Sequence, residues 1–292
     1  MTFLRSARRL TDSLRLDAPV FDLAGEDDWP RLLRHADRHS LTPLLFAVWQ
    51  AAGVLDSVPP DARARLQKAF ADNEIRNRHI RHELLEIHQL LSDAGVPHLV
   101  LKGWPLVERL YAHPAERVLY DHDLLVPAAQ AETGQRALLA AGFRPLPAKD
   151  EWIEKHLPPL WRNDGYRWDG YLFDPLYPRP VELHTQLWET GWRGLRVRNL
   201  PDLWADAPTR AVAGARKRGA PMQVLSDENT LIHLSMHFAG HWIERAARLN
   251  QLLDLARFAA QTAATLDWEM VLARSTAAGV ARFVYAALFL AR

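Results

Sequence analysis

Apolar residues recur at three- and four-residue spacing through "RLLRHADRHSLTPLLFAVWQAAG" and again through "PPDARARLQKAFADNEIRNRHIRHELLEIHQLLSDAG". That period predicts helices over most of residues 29 to 95. The double proline at 59 and 60 suits the start of the second helix, and Gly95 suits its end. The period then changes: "VPHLVLKG" reads as a short apolar strand, and Trp104-Pro105 opens a further helix in "WPLVERLY". Lys102 and Gly103 therefore fall at a strand-to-helix turn. Residues 118 to 127, "VLYDHDLLVP", read as the next strand, and Pro127 leads into the helix "AAQAETGQRALLAAGF", which ends near Gly142. The β-α-β-α order between 97 and 142 predicts a mixed α/β core.

From 143 to about 190 aromatics and prolines accumulate, with strand-like pieces in "YRWDGYLFDPL" and "RPVELHTQLW". "TRAVA" and "PMQVL" read as a hairpin tipped by the basic run "GARKRG" at 214 to 219. Helical periodicity returns after Ser226, a suitable N-cap with Asp227 and Glu228 in the first turn, and continues to the C-terminus. The expected class is α+β: an N-terminal helical region (1–95), a small mixed-sheet core (96–225) and a C-terminal helical domain (226–292).

Composition narrows the function classes. The chain has 292 residues, 48% hydrophobic and 24% charged, which is ordinary for a globular protein. With 36 Lys+Arg against 35 Asp+Glu the formal net charge is +1, so the basic field of a polynucleotide binder is missing and no polynucleotide partner is expected. Cysteine is absent, which removes disulfides, thiolate nucleophiles and Cys-type zinc sites and fits a reducing compartment. The N-terminus carries arginines without the apolar stretch of a secretory signal, and the longest uncharged run is too short and polar to span a bilayer. A cytoplasmic protein, off the membrane and monomeric or a small homo-oligomer, is expected.

The strand at 118–127 carries two carboxylates where apolar residues belong. Side chains alternate across a strand, so Asp121, Asp123 and Leu125 share one face and His122, Leu124 and Val126 the other, with the two Asp Cα atoms roughly 6.5 Å apart. Like charges so placed repel unless something positive stands between them. Mg²⁺, which takes oxygen ligands, one or two carboxylates and substrate phosphates, answers that need. The bland alternative is that one aspartate ends the strand at the surface and the other pairs with an arginine such as Arg117. Gly103 permits close backbone approach at the preceding turn, and Lys102 adds a point charge suited to phosphate. A third acid, Glu182 in "PVELHTQLW", shares a strand face with His184; if that strand neighbours the first, the three carboxylates share one site. Asp169 and Asp174 are rivals, set among turn residues.

Taken in order, "LVLKGWPLVERLY", "ERVLYDHDLLVP" and "VELH", followed by helical "LIHLSMHFAGH" and "LLDLARF", resemble the nucleotidyltransferase superfamily related to DNA polymerase β. More narrowly, the chain is similar to a bacterial nucleotidyltransferase-like family found beside natural-product and peptide-modification genes, over roughly residues 30 to 275. The resemblance implies that Asp121 and Asp123 hold one or two Mg²⁺ ions, with Glu182 as third ligand or base. Lys102 and Gly103 would form the phosphate turn, and Arg117 matches an arginine usual shortly before the D-x-D. Many members have Gly-Gly or Gly-Ser at the turn, where this chain has Lys102-Gly103-Trp104.

The implied activity is transfer of a nucleoside monophosphate from an NTP, with ATP the expected co-substrate, to a small-molecule or peptide acceptor, releasing pyrophosphate. The alternative is a catalytically silent module of the same fold that binds a nucleotide or a partner protein. A metal-free carboxylate-pair hydrolase ranks third.

His233, His237 and His241 repeat at four-residue spacing on one helix. The first and last are about 12 Å apart along it, so one zinc ion cannot take all three. They read instead as a polar stripe or a cleft wall, with His184 and His237 the candidates for lining the cleft. The aromatics Trp152, Trp161, Tyr166, Trp168, Tyr171, Phe173, Tyr177, Trp188 and Trp192 read chiefly as packing, with room for a nucleobase on one or two. Asp254 and Arg257 read as an i, i+3 ion pair.

Overall fold

The double proline and the long apolar period produce one helix of 34 residues, about 50 Å long, from Pro60 to Asp93, and the sheet is assembled along it. The computed structural model describes residues 2–17, 19–21, 23, 28–147, 154–163, 165–191, 196–201, 203–212 and 220–292. The expected turn "GARKRG", Trp152 and Trp192 lie outside the described residues. The helices before the sheet are α1 (Thr2–Ser13), α2 (Trp29–Arg38), α3 (Thr42–Ala51) and α4 (Pro60–Asp93). α5 (Trp104–Leu110) and α6 (Ala131–Ala140) lie between strands, and α7 (Asp227–Ile243), α8 (Leu249–Thr262), α9 (Trp268–Ala277) and α10 (Ala281–Ala291) follow them.

The strands are β1 (Leu99–Val100), β2 (His122–Leu125), β3 (Arg144–Pro145), β4 (Leu160–Trp161), β5 (Val181–His184), β6 (Thr209–Val212) and β7 (Ala220–Val224). They form one mixed sheet in the order β3-β4-β5-β2-β1-β7-β6. β2 lies antiparallel to β1 and parallel to β5, with Asp123 opposite Glu182 and Leu125 opposite His184. The fold is thus the expected mixed sheet with helices before and after it, and β6 and β7 pair as the expected antiparallel hairpin.

Alternation sorts the central strands into two faces. Leu124, Val126, Val181 and Leu183 pack with Ile87 and Leu91 of α4 and Leu138 of α6. Leu99 and Leu125 face the other way, into a cluster with Leu231, Ile232, Leu255 and Phe258 of α7 and α8. Asp123, Glu182 and His184 belong to this second face, so the polar site lies between the sheet and α7.

Two expectations about strands change. The strand in "VLYDHDLLVP" begins only at His122, which leaves Asp121 on the segment leading into it. "YRWDGYLFDPL" forms turns: Asp169 accepts from the Tyr171 amide and Asp174 from the Leu176 amide, both at 2.8 Å, and these bonds occupy donors a ladder would need. Ser226 caps α7 as expected, accepting from the Asn229 amide at 3.3 Å. No helix among the described residues is long and apolar enough to cross a membrane.

Candidate active site

Three buried polar side chains on one stripe of α4 position the segment that delivers Asp121. Asn73, Arg76 and Asn77 are fully buried, spaced three and four apart. Asn73 donates to the carbonyls of Ala115 (2.7 Å) and Arg117 (3.2 Å), and Asn77 to Pro114 (2.5 Å) and Arg117 (2.8 Å). Arg76 donates to Leu119 at 3.0 Å and Leu172 at 3.1 Å. A non-strand segment cannot satisfy its own backbone, and here a helix side face does so. About two turns further along α4, Glu83 lies 3.1 Å from His122 Nε2 and accepts from Arg179 at 2.5 and 2.8 Å. One carboxylate thereby ties the rear of β2 to the residues that lead into β5.

On the front face, Lys102 Nζ stands 3.3 Å from both carboxylate oxygens of Asp121 and contacts Asp123 Oδ2. The positive group between the two aspartates is therefore the turn lysine itself. Gly103 follows with φ +82° and ψ −120°, a conformation a side chain would strain, and caps α5. α5 has only seven residues, so the charge available to an anion at this turn is chiefly that of Lys102. The other oxygen of Asp123, Oδ1, lies 3.1 Å from His184 Nε2, and that nitrogen is 3.3 Å from Glu182 Oε2. His156 Nε2 is 3.6 Å from the same Glu182 oxygen, and its Nδ1 donates to the Leu157 carbonyl at 2.7 Å.

The charges are strongly coupled. Burial disfavours the Lys102 ammonium, yet Asp121 and Asp123 outweigh it and raise its pKa. Burial also works against the Asp123 carboxylate, but Lys102 and His184 hold it well below the usual range. Asp121 moves the opposite way, raised by desolvation and by the charge of Asp123. His184 is raised because its bonds to Asp123 and Glu182 overcome burial, and the same His184 bond brings Glu182 down against its own desolvation. On α7, burial lowers His233 to about 3 and, with Lys102 nearby, lowers His237 and His241 too. Uncharged imidazoles thus roof a charged floor.

Two adjoining clefts open on this cluster and share Lys102, Asp121, His237 and His241. One, of about 270 Å³, reaches Asp123, Glu182, His184, His233 and Trp188. The other, of about 250 Å³, reaches Gly103, Arg117, Tyr120 and Arg248. Of the described aromatics between 161 and 188, Trp188 lines the first cleft and none lines the second, whereas Tyr166, Trp168 and Tyr177 pack edge-on among themselves.

Among the described residues, Asp123, Glu182 and His184 form one set whose donor atoms lie within 4.8 Å of one another, a spacing a divalent cation can bridge. Asp121 adds a fourth donor across Lys102, and that buried ammonium shows that the cluster already stabilises positive charge. The donor set therefore fits a cation.

Residues 25–292 match the profile of a family described as uncharacterised nucleotidyltransferase. The chain belongs to this family. No curated protein matches it. Similarity to solved structures includes the antibiotic-resistance factor ANT(2'')-Ia in solution, at 17% identity and TM-score 0.44 over 73% of this chain and 96% of that one. A crystal structure of ANT(2'')-Ia with adenylyl-2''-tobramycin is similar at 14% identity and TM-score 0.43, over 68% of this chain and 96% of that one.

In this member of the family the structure brings Lys102, Asp121, Asp123, Glu182 and His184 into one cluster, with Gly103 and His237 at its edge. Arg117 is nearby, but its guanidinium is engaged by Asp254 at 2.7 Å. Asp254 thus takes Arg117 in place of the expected Arg257, which instead donates to the Leu110 carbonyl at 3.2 Å. His156 was not foreseeable: it stands in an aperiodic stretch and reaches the site through an isolated backbone bridge to His184.

Proposed function

We propose that the protein transfers a nucleoside monophosphate from an NTP, with ATP as co-substrate, to a small-molecule or peptide acceptor. The observation that carries the proposal is the in-register convergence of Asp123 and Glu182 on adjacent parallel strands, beside a lysine that already pairs with Asp121 and Asp123. Asp121, Asp123 and Glu182 would hold a divalent cation, Mg²⁺ being the one the resemblance implies, and such an ion supplies charge neutralisation at the triphosphate. Lys102, Gly103 and Arg117 line the second cleft and would receive the phosphates there, Lys102 exchanging a carboxylate for a phosphate oxygen. The acceptor would enter from the first cleft. Its nucleophilic atom attacks the α-phosphorus, the bond from that phosphorus to pyrophosphate breaks, and the nucleophile's proton passes to the Glu182 carboxylate.

Calorimetry with ATP and a divalent cation, repeated on Asp123→Asn, tests the reading. Binding that needs both the cation and Asp123 is expected; no nucleotide affinity at any cation concentration would remove it. One observation favours a second reading, a catalytically silent module: Lys102 fills the place between the aspartates that a cation otherwise takes. In that version ATP binds without pyrophosphate release in the presence of any acceptor.

A further inference from the structure

We infer that the cation site of this protein is built for a divalent transition-metal ion bound through a nitrogen of His184, in preference to Mg²⁺ held by oxygen alone. The inference rests on the reading of Asp123 and Glu182 as cation ligands and specifies which cation they take.

The two oxygens of Asp123 serve different neighbours. Oδ2 contacts the Lys102 ammonium, whereas Oδ1 faces His184 Nε2 at 3.1 Å, with Glu182 Oε2 3.3 Å from the same nitrogen. A cation can therefore lie among Oδ1, Oε2 and Nε2 while Lys102 keeps its place. A β-strand projects residues two apart on one face, so the "ELH" of β5 delivers a carboxylate and an imidazole together. Mg²⁺ demands oxygen donors in near-ideal octahedral geometry and gives up water reluctantly, whereas imidazole suits the first-row transition ions.

A second imidazole supports the same choice. The Leu157 carbonyl can only accept, so the proton of neutral His156 lies on Nδ1 and its bare Nε2 points toward Glu182, 3.6 Å away. A backbone carbonyl fixing one ring nitrogen while the other faces the site is the arrangement that orients metal-binding histidines. His233, 4% exposed on the wall of the same cleft, has neither ring nitrogen hydrogen-bonded. An oxygen-only Mg²⁺ site gives none of these nitrogens a purpose.

The test uses Mn²⁺ as probe, added to the full chain without nucleotide and, in a second arm, with a non-hydrolysable ATP analogue. Pulsed EPR should show coupling to a directly bound ¹⁴N nucleus that changes to the ¹⁵N pattern when only the histidines are ¹⁵N-labelled, which also sets aside nitrogen from adenine. His184→Gln should remove the coupling and weaken Mn²⁺ binding about tenfold or more, with Mg²⁺ affinity changed less than about twofold by the same logic of an oxygen-seeking ion. Mn²⁺ that depends on Asp123 but shows no histidine coupling overturns the inference and leaves the nucleotidyl-transfer reading standing. No Asp123-dependent cation in either arm overturns both. If His184→Gln fails to fold, the labelling result on the unaltered protein decides alone.

Discussion

Arg117 and Asp254, 137 residues apart in the chain, face each other in a buried pair. Arg117 Nε lies 3.0 Å from both carboxylate oxygens, and Nη2 lies 2.7 Å from Oδ2. Tyr111 donates its hydroxyl to the same carboxylate at 2.6 Å. The pair fastens the segment leading to Asp121 onto α8, so the segment is held from α4 on one side and from α8 on the other. Burial disfavours the Arg117 cation, and Asp254 more than restores it, raising its pKa.

Removing one member leaves the other charge buried and alone. Asp254→Ala is expected to cost about 3–5 kcal/mol in denaturant unfolding, whereas the double variant Arg117→Met with Asp254→Leu should cost much less. A loss for Asp254→Ala below about 1 kcal/mol, the range of exposed pairs, would show that the pair does not carry the segment.

The two aspartates of the D-x-D should separate in stability while agreeing in activity. Asp121 is raised by desolvation and the charge of Asp123, and its side chain is one-third exposed, so Asp121→Asn relieves crowding and the melting temperature stays level or rises. Asp123 is 4% exposed and bonded on both oxygens, so Asp123→Asn lowers the melting temperature. Both should reduce nucleotidyl transfer by about 10³-fold, the scale for removing a group that stabilises transition-state charge. Transfer surviving in either variant would count against the site.

What was legible in the sequence was whatever a local period encodes. Alternation placed Asp123 and Glu182 on one strand face each, and Pro-Pro, Gly95 and Ser226 marked helix ends, because each of these depends only on near neighbours. The joining of β2 to β5 was conditional until the register put Asp123 opposite Glu182. Three things had no local signal. The Arg117–Asp254 pair spans 137 residues, and Asp254 stands close enough to Arg257 in sequence to suggest the wrong partner. Asp121 lies just before the strand because its segment bonds to Asn73, Arg76 and Asn77 of α4 rather than to another strand. His156 comes from a stretch without any period.

Lys102 gives a prediction that links stability to cation. Its ammonium neutralises Asp121 and Asp123, so Lys102→Met leaves two carboxylates crowded. The variant should melt lower than the parent without added cation, and Mn²⁺ or Mg²⁺ should stabilise it by a larger increment than the parent, because a cation bound to the folded state then supplies the positive charge that the ammonium supplied. Thermal shift across a cation series reads both. An equal increment in the two proteins would mean that the cation does not use the carboxylates Lys102 now neutralises.

Glu83 joins α4 to both site strands, and its contribution should appear as a pH dependence. Burial would raise its carboxyl, but His122 and Arg179 bring it from an ordinary 4.5 down to about 2. A folded-state pKa below the unfolded one means that the contribution is complete above about 4.5 and disappears as pH falls from there to about 2. Glu83→Gln lacks that titration. The difference in unfolding free energy between parent and variant should therefore be constant above pH 4.5 and shrink by an amount on the order of 3 kcal/mol below it, about 1.4 kcal/mol per unit of the shift. Urea unfolding of both proteins at a series of pH values from neutral to acid measures this. Parallel curves across the acid range would show that Glu83 is not held ionised by His122 and Arg179, and that β2 and the approach to β5 are tied to α4 by packing alone.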